Sequence, residues 1–365
     1  MIIGIDGNEA NVKNRVGIGE YAYELLKQLN EFKTQNLDFR IYLKDNPLSD
    51  MPNESSNWKY KVIGPKKMWT QIALPFRLMF EKEKTDVFFT PSHYAPRYSP
   101  TSTAISIMDL SYIHFPDLFK KNDLYQLINW TRYSAVNAKL IFTISKSSKS
   151  DIIREYKVDS KKIVVTYPGI KQLKDMKNTD LKKFGIDKQY LLFVGTLQPR
   201  KNTSRLIEAF SKIEDKKVDL VIVGKKGWLY EEILAAPDKY KVRDRVKFLD
   251  FVTNEDLPSL YKNAKCFVLP SLYEGFGLPV LEAMKYGCPV ITSNISSLPE
   301  AGGDAAVYID PENVSDITTK INQVLKNEKL RAQMIKKGYE QVKKFSWEKT
   351  ARETLKALEE LVNKK

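Results

Sequence analysis

The chain has little that commits a protein to disulfide, metal or membrane-spanning chemistry. It has two cysteines, Cys266 and Cys288, both in apolar surroundings. Two cysteines build neither a disulfide framework nor a zinc site, and a reducing cytoplasm is the simple reading. Histidine is as scarce, with only His93 and His114. There is no Asp-x-Asp, no His-Glu-x-x-His and no carboxylate cluster at metal spacing, so neither a metal nor any other cofactor is expected. No apolar run reaches the roughly 18 residues of a membrane span. The opening MIIGIDGNEA lacks a basic n-region and a cleavage pattern; it reads as a strand that begins at once, and no signal peptide is expected.

What the chain does have is length and positive charge. Its 365 residues, 42% hydrophobic and 28% charged, are too many for one ordinary core and predict two domains. The net charge is +14, and residues 1–175 and 176–365 carry +7 each. No half is a basic tail, and no zinc-finger or RNA-binding signature accompanies the charge. Nucleic acid is therefore not an expected partner; a solvated lysine-rich surface is preferred, with a weak pull toward anionic lipid headgroups left open.

Along the chain, short apolar strands alternate with helical stretches. Residues 1–6, 38–43, 60–63, 86–90, 104–107 and 140–144 read as strands, and Gly17-Ile18-Gly19 opens a helix over 20–29. After Pro168-Gly169 a polar stretch, 171–188, reads as a linker and short helix, and the pattern restarts. Strands are predicted at 190–195, 219–224, 246–249, 266–270 and 289–293, with helices at 205–212 and 279–286. From Ser315 the chain reads as helical to its end, with Ser346-Trp347-Glu348 as the start of the last helix. This alternation predicts two parallel sheets with helices on both faces. In such sheets ligands bind beyond the carboxyl ends of the strands.

The segment SLYEGFGLPVLEAM, 271–284, falls at one of those ends. Gly275 and Gly277 allow a ligand close to the backbone. Pro279 suits a first helical turn, and a helix start offers free N–H groups to an anion. Glu274 is expected to face the cleft, and Glu282 to lie in the first helical turn facing the same way. Phosphates on the turn with hydroxyls on the two carboxylates describe a sugar nucleotide. The competing reading is a dipole-favouring Glu282 and a solvated Glu274. In Val194-Gly195-Thr196-Leu197-Gln198-Pro199-Arg200-Lys201-Asn202, two cations at a strand end suit a diphosphate leaving group; taken alone, the segment reads rather as a solvated basic loop. The Gly17-Ile18-Gly19 turn is a weak phosphate signal. His93 follows a strand at a cleft loop, where a base is one reading and a structural histidine the preferred one.

Taken together, these motifs resemble family 4 of the retaining, nucleotide-sugar-dependent glycosyltransferases, in particular the bacterial mannosyltransferase branch. Glu274 to Glu282 fits the family's E-x7-E motif, 194–202 its "VGTLxPRKN" segment, and 15–19 its glycine loop. Ser296-Ser297-Leu298-Pro299-Glu300 and Phe345-Ser346-Trp347 also fit. The resemblance implies the GT-B fold, an α/β architecture of two Rossmann-like, doubly wound parallel-sheet domains facing a central cleft. Residues 1–170 would form the acceptor-side domain, 171–345 the donor domain, and 346–365 a helix crossing back to the first.

It further implies a basic pair gripping the diphosphate at Arg200 and Lys201, with Arg205 as the alternative second cation. Glu274 would meet the donor sugar and Glu282 the ribose. Backbone around Gly275, Phe276, Gly277 and Leu278 would meet sugar and phosphate, Gly17 and Gly19 would approach the diphosphate, and Phe251-Val252 the base. Many relatives read His-Asp-Leu where this chain reads Met108-Asp109-Leu110. That histidine's role cannot be carried over, and Asp109 or His93 is the candidate to face the reaction centre. The function implied is metal-independent, retaining transfer of a hexose, mannose from GDP-mannose by preference, to a glycan or lipid-linked acceptor of a cell-surface polysaccharide. UDP-glucose, UDP-galactose or N-acetylhexosamine donors stay open, as does a non-catalytic sugar-nucleotide or glycan binding protein. An epimerase or phosphorylase is disfavoured. The stretch Lys66-Lys67-Met68-Trp69, with Leu74-Pro75-Phe76-Arg77, reads either as a contact with the cytoplasmic membrane face or as a partly buried helix.

Overall fold

The computed structural model describes residues 1–32, 36–171 and 179–364. The expected linker at 171–188 therefore falls partly, at 172–178, outside the described residues. The chain forms two compact units, one of 1–169 with 345–365, the other of 170–344.

The first unit carries a parallel sheet of seven strands. These are β1 (Ile2–Asp6), β2 (Asp38–Leu43), β3 (Trp58–Val62), β4 (Val87–Thr90), β5 (Ser102–Ser106), β6 (Leu140–Thr143) and β7 (Ile163–Val165), in spatial order β3-β2-β1-β4-β5-β6-β7. Strand alternation distributes neighbouring side chains to opposite faces. Ile41, Phe89, Ala104 and Phe142 join one core cluster. Their neighbours Tyr42 and Phe88 join a second, and Ile105 and Ile141 a third. Both faces are thus sealed, as a doubly wound sheet requires.

The first of these cores is closed by two helices far apart in sequence. The helix Ile18–Glu31 contributes Tyr21, Ala22, Leu25, Leu26 and Leu29; the helix Trp347–Asn363 contributes Trp347, Ala351, Leu355 and Leu358. Each large apolar side chain buried there contributes about 1.5–3 kcal/mol. The last helix is therefore an integral part of the first unit.

The second unit has six parallel strands, β8 (Tyr190–Val194), β9 (Asp219–Val223), β10 (Val246–Leu249), β11 (Cys266–Leu269), β12 (Val290–Ser293) and β13 (Ala306–Ile309), ordered β10-β9-β8-β11-β12-β13. Its central strands are apolar apart from Asp219 at the start of β9: Leu191, Leu192, Phe193, Leu220, Val221, Ile222, Phe267 and Val268 are fully buried.

The helical stretch expected from Ser315 starts its last helix at Ser346 as expected, and is broken once more at Asn327. Helices span Val314–Lys326, Glu328–Val342 and Trp347–Asn363. Asn327 and Ser346 cap the second and third by accepting hydrogen bonds from Leu330 N and Lys349 N, a local bond that competes with continued helix. Among the described residues no helix is long and apolar enough to cross a membrane.

Candidate functional site

In the second unit the strand order reverses between β8 and β11. That is the switch point at which open α/β sheets bind ligands. The loops leaving these two strands are tied together there. Leu272 N donates to Arg200 O at 2.9 Å, Asn202 Nδ2 donates to Pro270 O at 3.0 Å, and an Arg200 guanidinium nitrogen donates to Tyr273 O at 2.5 Å. Asn202 adopts φ +60°, which turns the chain from the tight Pro199–Lys201 turn into the helix Thr203–Ser211.

At the centre of these loops stands Glu274, 7% exposed. Lys201 Nζ donates to its Oε1 at 2.5 Å, Ser271 Oγ to the same oxygen at 2.7 Å, and Arg200 to Oε2 at 3.2 Å. Burial by itself would raise the carboxyl; the nearby Lys201 and Arg200 charges and the hydrogen bonds from Lys201 and Ser271 outweigh it and hold the group down at about 2. Its backbone is fixed as firmly. Ser296 Oγ and Ser297 Oγ each donate to Glu274 O at 2.7 Å, and Glu274 N donates to Ser296 Oγ at 3.2 Å. The reading of Glu274 as a solvated surface acid is thereby excluded.

Gly277, at φ +103°, passes the chain into the helix Leu278–Lys285. A Cβ on Gly277 would stand 2.7 Å from Leu298 Cδ2, so the turn requires glycine on two counts. Gly275, Phe276 and Gly277 are buried and Leu278 is half-buried. Glu282 departs from expectation. It is the fifth residue of the helix, so it opens the second turn, and the first turn holds no acid. Tyr261 Oη donates to its Oε2 at 3.0 Å.

The two candidate second cations separate. Arg200 reaches Glu274, whereas Arg205 donates to Asn202 Oδ1 at 3.0 Å and Pro311 O at 3.1 Å. Beyond the carboxyl end of β10, Val252 is buried while Phe251 is 64% exposed, with Lys225 Nζ 4.6 Å from its ring centroid. Sequence reasoning missed Ser271, Tyr261 and the role of Ser296 and Ser297. Ser271, Ser296 and Ser297 stood in recognised segments and Tyr261 did not, and a hydroxyl serving a backbone carbonyl 22 residues away leaves no spacing signal.

The remaining candidates lie in the first unit, around its own reversal of strand order between β1 and β4. Gly17, at φ +53°, has nothing within 4 Å of where a Cβ would stand. It leaves open backbone at the start of the helix Ile18–Glu31, where Gly19 is buried. His93 follows β4 and is half-buried, its ring 4.4 Å from that of Tyr94. Burial pushes the imidazole down to about 4, with Asp109 pulling the other way, so His93 is neutral near pH 7. Asp109 Oδ1 accepts from Ser111 N at 2.8 Å, and Met108 packs against the first core.

Comparison with known proteins places this geometry. Residues 176–341 match the family described as "Glycosyl transferases group 1". The chain is 33% identical over 283 residues to O-antigen chain mannosyltransferase B of Escherichia coli, covering 75% of this chain and 74% of that one. It is 33% identical over 233 residues to the serotype-specific mannosyltransferase WbdA of Escherichia coli, covering 59% of this chain and 28% of that longer one. Among solved structures, sucrose-phosphate synthase from Thermosynechococcus elongatus superposes with a TM-score of 0.75 over 100% of both chains, at 19% identity.

Proposed function

The chain belongs to the group 1 glycosyl transferases, with the GT-B fold, and from that premise we propose that it transfers a hexose, with retention and without a metal, from a nucleoside diphosphate sugar to a glycan or lipid-linked acceptor. The observation that carries the reading is Lys201 and Arg200 held against buried Glu274 at the β8–β11 switch point. A diphosphate needs fixed cations, and a sugar needs an ionised carboxylate as acceptor for its hydroxyls; here both are supplied by two adjoining loops.

In this reading Lys201 and Arg200 hold the diphosphate and offset the charge that grows on it as the anomeric bond breaks. Glu274 orients the sugar through its hydroxyls, and the backbone from Gly275 to Leu278 meets sugar and phosphate. Glu282, oriented by Tyr261, takes the ribose hydroxyls, and Val252 lies on the base side. In the first unit the candidates are its own: Gly17 and Gly19 offer backbone at a helix start, and His93 and Asp109 are the groups proposed to serve the acceptor. The acceptor oxygen bonds to the anomeric carbon on the face the diphosphate leaves, and its proton passes to the departing phosphate oxygen.

The mannosyltransferase relatives support mannose, and GDP-mannose is the donor proposed; a polysaccharide of the cell surface is the product, made at the cytoplasmic face of the membrane. Thermal-shift titration with GDP, UDP, ADP and their sugars, with EDTA present, tests it. A rise in stability with GDP and GDP-mannose is expected, since a ligand of the native state must stabilise it. A rise with UDP sugars alone would move the donor to that class. No rise with any nucleotide, or full transfer by both Glu274→Gln and Lys201→Ala, would overturn the site.

A further inference from the structure

The helix Ala73–Phe80 is apolar on both its faces. Ala73, Leu74 and Leu78 point inward and pack with Trp69, Tyr42 and Phe88 against the first sheet. The opposite stripe is Ile72, Phe76, Met79 and Phe80, spaced i, i+4, i+7 and i+8, so that they share one helical face. These side chains stand in solvent: Phe76 is 62% exposed, Met79 49%, Phe80 71%, and Met68 alongside 56%. The Phe76 and Phe80 rings stack at 6.0 Å. Next to them Ile63, Gly64, Pro65, Ile72, Phe76 and Arg77 line an apolar depression of about 390 Å³. A contiguous exposed patch of this kind marks an interaction surface.

The charge around the patch selects its occupant. Residues 59–84 hold six lysines and one arginine against two glutamates. Of those glutamates, Glu81 is turned inward and accepts from Tyr42 Oη and Arg77, and Glu83 is paired with Arg40. Lys66, Lys67, Arg77 and Lys82 are exposed at the margin of the apolar stripe, Lys66 paired with Asp45 and Arg77 with Glu81, Lys67 and Lys82 in no ion pair among the described residues. Aromatic and methionine side chains ringed by cations fit the interface of an anionic bilayer, where the apolar groups enter the acyl boundary and the cations meet headgroup phosphates.

We propose that this face, Met68 with Ile72, Phe76, Met79 and Phe80 inside a rim of Lys66, Lys67, Arg77 and Lys82, docks the protein on an anionic lipid surface. It deepens the reading that the acceptor is lipid-linked, and rests on that reading only for its purpose; the surface chemistry stands without it.

The test is co-sedimentation of the full chain with vesicles of phosphatidylcholine alone and of phosphatidylcholine with phosphatidylglycerol, at low and high salt. The wild type is expected to partition to the anionic vesicles and to be released by salt. Phe76→Ser with Phe80→Ser should lower that partitioning by about tenfold or more, and Lys67→Glu with Lys82→Glu should remove the preference for anionic lipid. In Phe80→Trp, the indole fluorescence should be quenched by brominated acyl chains. Wild type left in the supernatant, or both double variants binding as wild type does, overturns the proposal. So does a concentration-dependent dimer in sedimentation velocity that the serine pair abolishes, because the face then covers a second copy of the chain. The nucleotide thermal shift is run on the same variants. Vesicle binding without any nucleotide shift would retain the docking surface and reject the transferase site; the opposite result would retain the site alone.

Discussion

Lys201 Nζ lies 2.5 Å from Glu274 Oε1, across 73 residues of sequence, and both residues are more than nine-tenths buried. Burying such a pair adds little net stability, but removing one partner strands the other. Lys201→Ala is therefore expected to lose about 3 kcal/mol of unfolding free energy, at the low end for a broken buried pair, because Ser271 and Arg200 still serve Glu274. Lys201→Ala with Glu274→Gln should recover part of that loss, as no unpaired charge stays inside. Urea midpoints of the two variants and the parent decide it. Transfer should fall by about a hundredfold or more in both, since the second change restores packing but not the cation.

The same pair gives stability a pH dependence of known sign. Glu274 is held at about 2 in the folded chain, below the ordinary value of about 4.3 for an unfolded glutamate. The unfolded chain thus takes up the proton first as pH falls. The contribution of Glu274, on the order of 3 kcal/mol, is whole above about pH 5 and is lost between there and pH 2. Urea unfolding of the parent and of Glu274→Gln across that window should show the acid loss of stability in the parent and a flatter profile in the variant.

His93 works in the same direction in a higher window. Its folded value of about 4 lies below the unfolded 6.5, so the unfolded chain binds the extra proton between these values and stability falls with acid there. His93→Asn should flatten the profile from pH 6.5 down to 4. Asp6, at the end of β1, opposes it: burial raises its carboxyl to about 6 against the backbone and side-chain hydrogen bonds from Asn8, so the folded chain holds the proton longer. Asp6→Asn should accordingly steepen the acid loss left by His93.

The parts of the molecule that were legible in the sequence are those with local causes. The buried central strands are continuous apolar runs, and their type survives any tertiary context. The short β7 and β13, half-exposed outer strands of three and four residues, are apolar runs too brief to stand out and were not foreseen. Segment 171–188 read as polar, and among its described residues the short helix is a four-residue 3-10 turn at Leu181–Phe184. In the site, Glu274, Lys201 and the glycine turn were legible because each stands in a recognisable string. That the two strings meet depends on strand order, which periodicity does not encode. Glu282 was placed in the first turn because the helix was expected to begin at Pro279; Gly277 caps it, so Leu278 already begins it and Glu282 is its fifth residue.

Ser296 shows how far beyond those strings the site extends. At φ +58° it stands in the left-handed region that side chains other than glycine seldom adopt. The geometry lets one hydroxyl donate to Glu274 O and accept from Glu274 N, so the strain is stored where it orients the carboxylate. Ser296→Ala should leave Glu274 loosely held and lower kcat by about tenfold with little change in nucleotide affinity. Ser296→Gly relieves the backbone but lacks the hydroxyl. It should be at least as stable as the alanine variant and equally slow, a split between stability and rate that a merely structural serine would not produce.

Gly277 and Leu298 provide a coupled test of the turn itself. An added Cβ at Gly277 must accept both φ +103° and a 2.7 Å approach to Leu298 Cδ2, and Leu298 is fully buried and has nowhere to retreat. Gly277→Ala should cost about 2–5 kcal/mol, the sum of backbone strain and overpacking. Leu298→Ala alone opens a cavity and should cost about 2–5 kcal/mol. The double variant relieves the clash and fills part of the cavity, so its loss should fall short of the sum by about 1 kcal/mol or more. Gly17→Ala is the contrast. Its φ is also positive, at +53° with ψ −114°, but open space surrounds the new methyl, so only backbone strain of about 1–3 kcal/mol is expected. If the double-variant loss were simply additive, the contact with Leu298 would not be what holds the turn against the start of its helix.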